Sequence, residues 1–128
     1  MFEISTEDEH ALVSFSLTGS VDVDETARLV DELRWALLRY EDRPIKLLAD
    51  LRELKPTNSS VAELIQRMQQ FAIETGVVRF AEITGSRHLA VQMAVVARRS
   101  GAVRVLRRFE EQSSAKEWLF AGDEPPSA

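Results

Sequence analysis

The residues with the clearest potential for chemistry are Asn58-Ser59-Ser60, a polar run that opens a stretch of helical periodicity. Side chains of these types at a helix start accept hydrogen bonds from the unpaired N–H groups of the first turn. The same N–H groups, with the positive end of the helix dipole, also favour a phosphate. Ser60 and Glu63 fit a capping box, although Asn58 or Ser59 would cap if the helix began earlier. Because one residue of this run suffices as a cap, Ser59, Ser60 and Asn58 are candidates for phosphorylation or partner contact, and Ser59 is the leading one.

Two carboxylates, Asp22 and Asp50, lie where a strand ends or a helix begins. Asp22 precedes a helical pattern and is explained as its N-cap, and Asp50 ends an apolar strand, where parallel sheets often place functional groups. We treat both as candidate partner contacts. The chain has no cysteine, and its two histidines, His10 and His88, are far apart in sequence. Without a cluster of His, Cys and carboxylate residues, the sequence predicts no enzyme activity, no metal and no cofactor.

Apolar residues of the second and third helical segments form another candidate surface. The third segment, residues 89–97, is apolar nearly all round, so it must be covered on more than one side. The cover could be the sheet and neighbouring helices, or it could be a second subunit, another partner or an apolar ligand. The residues that would form this ligand or partner surface are Met68, Phe71 and Met93.

Composition restricts the class of protein. A chain of 128 residues predicts one domain, which we place at 1–121, followed by a disordered tail at 122–128 that contains two prolines. Sixteen basic and 21 acidic residues give a formal charge of −5, which disfavours nucleic acid as a partner. No signal sequence and no membrane-spanning run is visible, so we expect a cytoplasmic protein.

The order of periodic segments predicts the fold class. Period-two and apolar segments alternate with helical ones in the order ββαβαβαβα, the last strand being 103–109 and the last helix starting at a capping box of Ser114 and Glu117. This order is typical of an α/β domain with a mixed, mostly parallel sheet of about five strands, an N-terminal antiparallel hairpin and about four helices. The segment 45–51 is apolar on both faces and should be the central strand.

Two motifs resemble a known family. Residues 17–22 read Leu-Thr-Gly-Ser-Val-Asp, which resembles the LTGxLD segment of STAS domains, the family of anti-sigma-factor antagonists. Those domains also carry a strand ending in Asp-Leu, then six residues, then Asp-Ser-Ser-Gly at a helix start. Here Asp50-Leu51 is followed by six residues and then Asn58-Ser59-Ser60-Val61. The resemblance extends over roughly residues 10–120.

The resemblance implies a noncatalytic regulatory protein of bacterial type. In the family the first serine of the second motif is phosphorylated by a kinase that is also the anti-sigma-factor partner, and Ser59 occupies that position. Asn58 replaces the family's acid and Val61 its glycine. The final helix resembles a divergent STAS-like branch that is often compared with the CRAL-TRIO lipid-binding fold. That comparison implies an alternative function, binding of a lipid-like or small apolar ligand beside the second and third helices. A homodimer is a further expectation.

Overall fold

The computed structural model describes residues 1–121, so the predicted tail at 122–128 lies outside the described residues. Five strands and four α-helices alternate along the chain. The strands are Phe2–Glu7 (β1), Leu12–Leu17 (β2), Ile45–Leu51 (β3), Val77–Thr84 (β4) and Leu106–Phe109 (β5). The helices are Val23–Leu38 (α1), Ser59–Thr75 (α2), Arg87–Ser100 (α3) and Gln112–Ala121 (α4). Short 3₁₀ helices cover Asp8–His10 and Ala102–Arg104.

The sheet has the strand order β1-β2-β3-β4-β5. β1 and β2 form an antiparallel hairpin, and every later neighbour pair is parallel. The predicted α/β class and the order ββαβαβαβα are therefore confirmed. β3 lies in the middle of the sheet, as its largely apolar sequence predicted, because a strand with neighbours on both edges and helices on both faces buries most of its side chains.

The two faces of the sheet are covered unequally. α1, α2 and α3 pack on one face over the larger core, and α4 alone packs on the other. Successive side chains of β3 point to opposite faces of the sheet, so the strand contributes to both cores. Leu47 and Ala49 face the three helices, whereas Leu48 packs with Ala115 and Leu119 of α4. The apolar character of α3 is explained mainly by packing, because its buried side chains include Leu89, Met93 and Val96.

Two boundaries near the carboxyl terminus differ from the sequence prediction. The last strand begins at Leu106 rather than at residue 103, because Gly101 adopts a positive φ of 83° and turns the chain into the 3₁₀ helix. The last helix begins at Gln112, so Ser114 lies within its first turn. The prediction that Ser114 caps this helix is therefore wrong.

Candidate functional site

The carboxyl ends of β2, β3 and β4 meet at one edge of the sheet, and each is followed by a helix that starts there. All three helices are capped by a side chain directly before the first helical residue. The Asp22 carboxylate accepts from the Glu25 N–H at 2.8 Å, the side-chain amide oxygen of Asn58 from the Val61 N–H at 2.9 Å, and the Ser86 hydroxyl from the Leu89 N–H at 3.1 Å. We call this region the capped edge, defined by the caps Asp22, Asn58 and Ser86.

Ser59 is the first residue of α2 and is exposed. Because the helix begins here and not after Ser60, the cap is Asn58, and the capping box expected between Ser60 and Glu63 does not form. Ser60 is exposed as well. Within residues 1–121 neither hydroxyl makes a hydrogen bond to another residue. Ser59 is therefore not needed as the cap, and its side chain faces solvent beside the unpaired N–H groups of a helix start.

The segment that presents Ser59 is fixed at two points. Gly19 pairs with it as an isolated parallel bridge: the Gly19 N–H donates to the Glu53 carbonyl at 2.8 Å, and the Lys55 N–H donates to the Gly19 carbonyl at 3.1 Å. Gln92 of α3 clamps the backbone of Thr57, accepting from its N–H at 3.0 Å and donating to its carbonyl at 2.7 Å. The segment before Ser59 is thus held by hydrogen bonds to the β2–α1 loop and to α3, and it forms a continuous surface with α3.

A close backbone approach fixes the turn before α3. A Cβ atom added at Gly85 would lie 2.3 Å from the carbonyl oxygen of Arg52, a distance that real Cβ atoms do not tolerate. Glycine is therefore required at this point because the turn packs directly on the chain after β3. This contact ties the α3 cap to the loop that leads to Ser59.

Two surface depressions flank the capped edge. A groove of ≈ 370 Å³ runs between α2 and α3, lined by Ser59, Ala62, Glu63, Gln66, Gln92, Val95, Val96 and Arg99. A second depression of ≈ 600 Å³ lies between the end of β4 and the start of α3, and its lining includes Arg52, Arg87 and Glu110. The combination of small apolar residues with a polar and charged rim suits contact with a folded polypeptide.

Asp50 does not join Ser59. Its side chain lies on the other face of the sheet, where it lines a depression of ≈ 190 Å³ with Ser14, Ser16 and residues of β1. The Arg52 guanidinium forms a bidentate pair with it, at 3.0 and 2.7 Å. Hydrogen bonding from that guanidinium, followed by a backbone hydrogen bond and by charge attraction, holds the pKa of Asp50 below its usual value despite partial burial.

The predicted surface at Met68, Phe71 and Met93 is largely wrong. Met68 and Met93 are 2% and 0% exposed because both side chains point into the larger core. Phe71 is half-buried, with the Arg34 guanidinium carbon 5.1 Å from its ring centroid. The methionines therefore fill the core, and the accessible groove between α2 and α3 is lined by other residues.

Sequence reasoning missed a buried charged pair beneath the three helices. Glu82 of β4 is only 1% exposed, and the Arg108 Nε donates to its Oε1 at 2.9 Å from the neighbouring strand β5. Burial raises the pKa of Glu82, and the charge and hydrogen bond of Arg108 oppose that rise. The signal in the sequence was a single acid inside the apolar run Phe80-Ala81-Glu82-Ile83.

Glu82 and Gln69 line one enclosed cavity between the sheet and the helices α1 and α2. Its volume is ≈ 10 Å³, room for about one water molecule. Oε2 of Glu82 and Nε2 of Gln69 have no hydrogen-bond partner within residues 1–121. The Oε1 of Gln69 accepts from the Ser100 hydroxyl at 2.7 Å. A space of this size does not admit a lipid or another apolar ligand.

The assignment of the α2 cap makes a prediction about stability. Asn58→Ala should lower the free energy of unfolding by about 1 kcal/mol because it removes the acceptor for the Val61 N–H. Ser59→Ala and Ser60→Ala are matched controls one and two residues further on, and each should stay within about 0.5 kcal/mol of the wild type. Urea unfolding of the three variants measures the difference. A larger cost for Ser60→Ala than for Asn58→Ala would contradict the assignment.

In the part of the chain that the structure describes, no helix has the length and apolar character needed to cross a membrane. No family model matches the chain, and no curated protein matches it. Among solved structures, the NMR structure of the protein TM1081 is similar, with a TM-score of 0.67 and 14% sequence identity. The similarity covers 93% of this chain and 88% of that one. At this identity the likeness supports the α/β fold and nothing finer.

Proposed function

We propose that this protein is a noncatalytic regulatory module of the STAS, anti-sigma-factor-antagonist-like type, which acts in the bacterial cytoplasm by binding a protein partner. The recognition surface is the Ser59 segment, the start of α2 and the adjoining α2–α3 groove. The observation that carries the proposal is the exposed, unengaged hydroxyl of Ser59 at a helix start whose cap is supplied by Asn58. The Ser59 side chain makes no hydrogen bond within the described residues, whereas the backbone before it is held by several. Such a side chain is well placed for contact with a partner.

Phosphorylation of Ser59 is the regulatory step of this proposal. A phosphate would add about −1.5 to −2 charges at the first residue of α2, where the dipole and the first-turn N–H groups favour an anion. The fold should therefore accept the modification. The contact surface would gain negative charge locally, because the first turn of α2 carries no acid and the nearest one, Glu63, lies four residues after Ser59. A partner that packs an apolar or acidic group against Ser59 would then be released.

The departures at Asn58 and Val61 fit this arrangement. Asn58 supplies the cap as an uncharged amide, so no acid directly precedes Ser59 at the start of α2. Val61 is fully buried in the larger core, so its β-branched side chain does not obstruct the exposed face of the turn. Approach of a partner backbone to Ser59 thus remains open even though the family's glycine is absent.

The alternative, binding of a lipid-like or small apolar ligand beside α2 and α3, is the weaker proposal. The enclosed cavity accommodates about one water molecule, and the α2–α3 groove is open and rimmed by Glu63, Gln66 and Arg99. Hydrocarbon ligands instead bury most of their surface in deep apolar pockets. A second copy of this chain is another candidate partner for the same groove.

Affinity for a partner captured with the full-length chain tests the proposal. Ser59→Asp should weaken binding of that partner at least about tenfold, a loss of about 1.4 kcal/mol, whereas Ser59→Ala should bind within about threefold of the wild type. Titration calorimetry with the purified partner gives both values. Equal affinities for the wild type and the acidic variant would contradict the switch.

A further inference from the structure

The turn that joins β1 to β2 brings three metal-ligating side chains together. Glu7 ends β1, and Glu9 and His10 lie in the short 3₁₀ helix that follows. One ligand atom from each residue, two carboxylate oxygens and one imidazole nitrogen, lies within 4.8 Å of the other two. This turn is at the amino end of β2, whereas the capped edge is at the carboxyl end of that strand. The two regions are thus at opposite edges of the sheet.

The separation of two of these atoms is informative. Nδ1 of His10 is shielded from solvent and has no hydrogen-bond partner within residues 1–121, and it lies 3.5 Å from Oε1 of Glu7. The Glu7 carboxylate is at ion-pair distance, but no hydrogen bond from the described residues satisfies this shielded ring nitrogen, which needs an explanation. Two atoms that each bind a tetrahedral ion at about 2.1 Å are about 3.4 Å apart. The observed spacing therefore suits two ligands of one metal ion.

The turn is held in place before any ion binds. The imidazole of His10 stacks on the Phe120 ring of α4, with centroids 4.1 Å apart and planes 24° apart. The backbone carbonyl of His10 accepts from the Lys46 ammonium at 3.2 Å, and that of Glu9 accepts from the Arg43 guanidinium at 3.0 Å. These contacts use the ring face and the backbone, so they leave Nδ1 and the two carboxylates available as ligands.

Among the described residues, the basic side chains around the turn, Arg39, Arg43 and Lys46, bind Asp8 and backbone carbonyls and not the Glu7 or Glu9 carboxylates. Asp8 is already engaged, since its carboxylate accepts from the Tyr40 hydroxyl and pairs with Arg39 at 3.0 Å. In the described residues no lysine or arginine pairs with the carboxylates of Glu7 or Glu9. Two adjacent negative charges without a basic partner repel each other, and a divalent ion would remove that repulsion.

We propose that Glu7, Glu9 and His10 bind a divalent transition-metal ion, of which Zn²⁺ is the probe that best fits one imidazole nitrogen and two carboxylate oxygens. Mg²⁺ and Ca²⁺ fit less well because they prefer ligands that are all oxygen. Water completes the coordination, since Glu7 and Glu9 are exposed. The sequence alone did not indicate this site, because Thr6-Glu7-Asp8-Glu9-His10 has the pattern of a solvated turn.

Calorimetric titration of the tag-free, full-length protein with ZnCl₂ at pH 7.5 tests the site. The wild type should bind one ion, and His10→Gln should raise the Kd by about tenfold or more because it removes the nitrogen ligand. His88→Gln is the matched control: His88 is exposed at the start of α3 and lies outside the carboxylate cluster. Its Kd should equal that of the wild type. With no cysteine in the chain, thiolates cannot compete for the ion.

Two further variants separate this site from weak surface binding. Glu7→Gln should raise the Kd for Zn²⁺ as His10→Gln does, and Asp50→Asn should not change it. Far-UV circular dichroism and urea unfolding establish that each variant is folded. No binding of Zn²⁺ by the wild type, or equal Kd values for His10→Gln and His88→Gln, would overturn the proposal, and so would tighter binding of Mg²⁺ than of Zn²⁺.

Discussion

Replacing Arg108 with leucine should lower the free energy of unfolding by about 3 kcal/mol at pH 7.5. The variant leaves the Glu82 carboxylate, only 1% exposed, without the guanidinium that hydrogen-bonds to it. Removing one member of a buried pair costs about 3–5 kcal/mol, and we take the lower end because the Arg108 side chain is 27% exposed and remains partly hydrated. Urea unfolding measures the loss.

The dependence of this loss on pH identifies its cause. Burial raises the folded-state pKa of Glu82 above the ordinary value of 4.5, so the folded protein binds this proton more tightly than the unfolded chain does. The resulting stabilisation is complete below the unfolded-state pKa and is lost as the pH rises through the folded-state pKa. Without Arg108 that pKa should rise further, because the opposing charge is gone. The cost of Arg108→Leu should accordingly be smaller near pH 5 than at pH 7.5.

A double variant serves as the control. Glu82→Leu combined with Arg108→Leu removes both charges, and its free energy of unfolding should return to within about 1 kcal/mol of the wild type or exceed it. The difference in free energy of unfolding between the double variant and the wild type should also not grow between pH 5 and pH 7.5, as it does for Arg108→Leu alone. A double variant as unstable as Arg108→Leu alone, or a cost that does not change between pH 5 and pH 7.5, would mean that packing and not charge accounts for the loss.

Leu47→Ala should lower the free energy of unfolding by about 2–5 kcal/mol. Leu47 is fully buried at the middle of the central strand, between Val13 of β2 and Phe80 of β4, and it faces the helices. Truncation removes buried methyl groups and leaves a cavity that the hydrogen-bonded strands on both sides cannot close. Chemical unfolding followed by circular dichroism measures the change.

Val78→Ala provides the comparison, because Val78 lies on β4 but is 47% exposed. Its effect should stay within about 0.5 kcal/mol. Leu48→Ala, on the opposite face of β3 beneath α4, should be costly as well, since Leu48 is only 3% exposed. A loss at Leu47 no greater than that at Val78 would contradict the central position of β3.

The fold could be predicted from the sequence because each element carries its own pattern. The alternation at 13–17, the nearly continuous apolar run at 45–51 and the glycines at 76 and 101 are all local patterns that indicate their elements. The start of the last strand could not be located in this way. Residues 103–109 have a strand-like composition, but residues 102–104 form a 3₁₀ turn in which Ala102 is fully buried. That burial is a tertiary effect, which the local pattern does not show.

The candidate site was only partly predictable for the same reason. The polar run at 58–60 indicated a helix start, and the exposure of Ser59 agrees with that interpretation. Which residue of the run is the cap depends on the first helical residue, and the sequence does not locate that residue to within one position. The side chains of Gln92 and Asp50 show a further limit. The Gln92 clamp on Thr57 joins residues 35 positions apart, and the face on which Asp50 lies is fixed by strand register.

Ser59 as a regulated contact is the central claim, and the affinity of one purified partner for four full-length chains tests it most directly. The chains are the wild type, Ser59→Ala, Ser59→Asp and Ser114→Asp, the last adding the same charge in the first turn of α4 on the opposite face of the sheet. We predict that Ser59→Asp alone weakens binding, by at least about tenfold, while all four chains unfold within about 1 kcal/mol of one another. Equal affinities for Ser59→Asp and the wild type, or an equal loss with Ser114→Asp, would contradict the account.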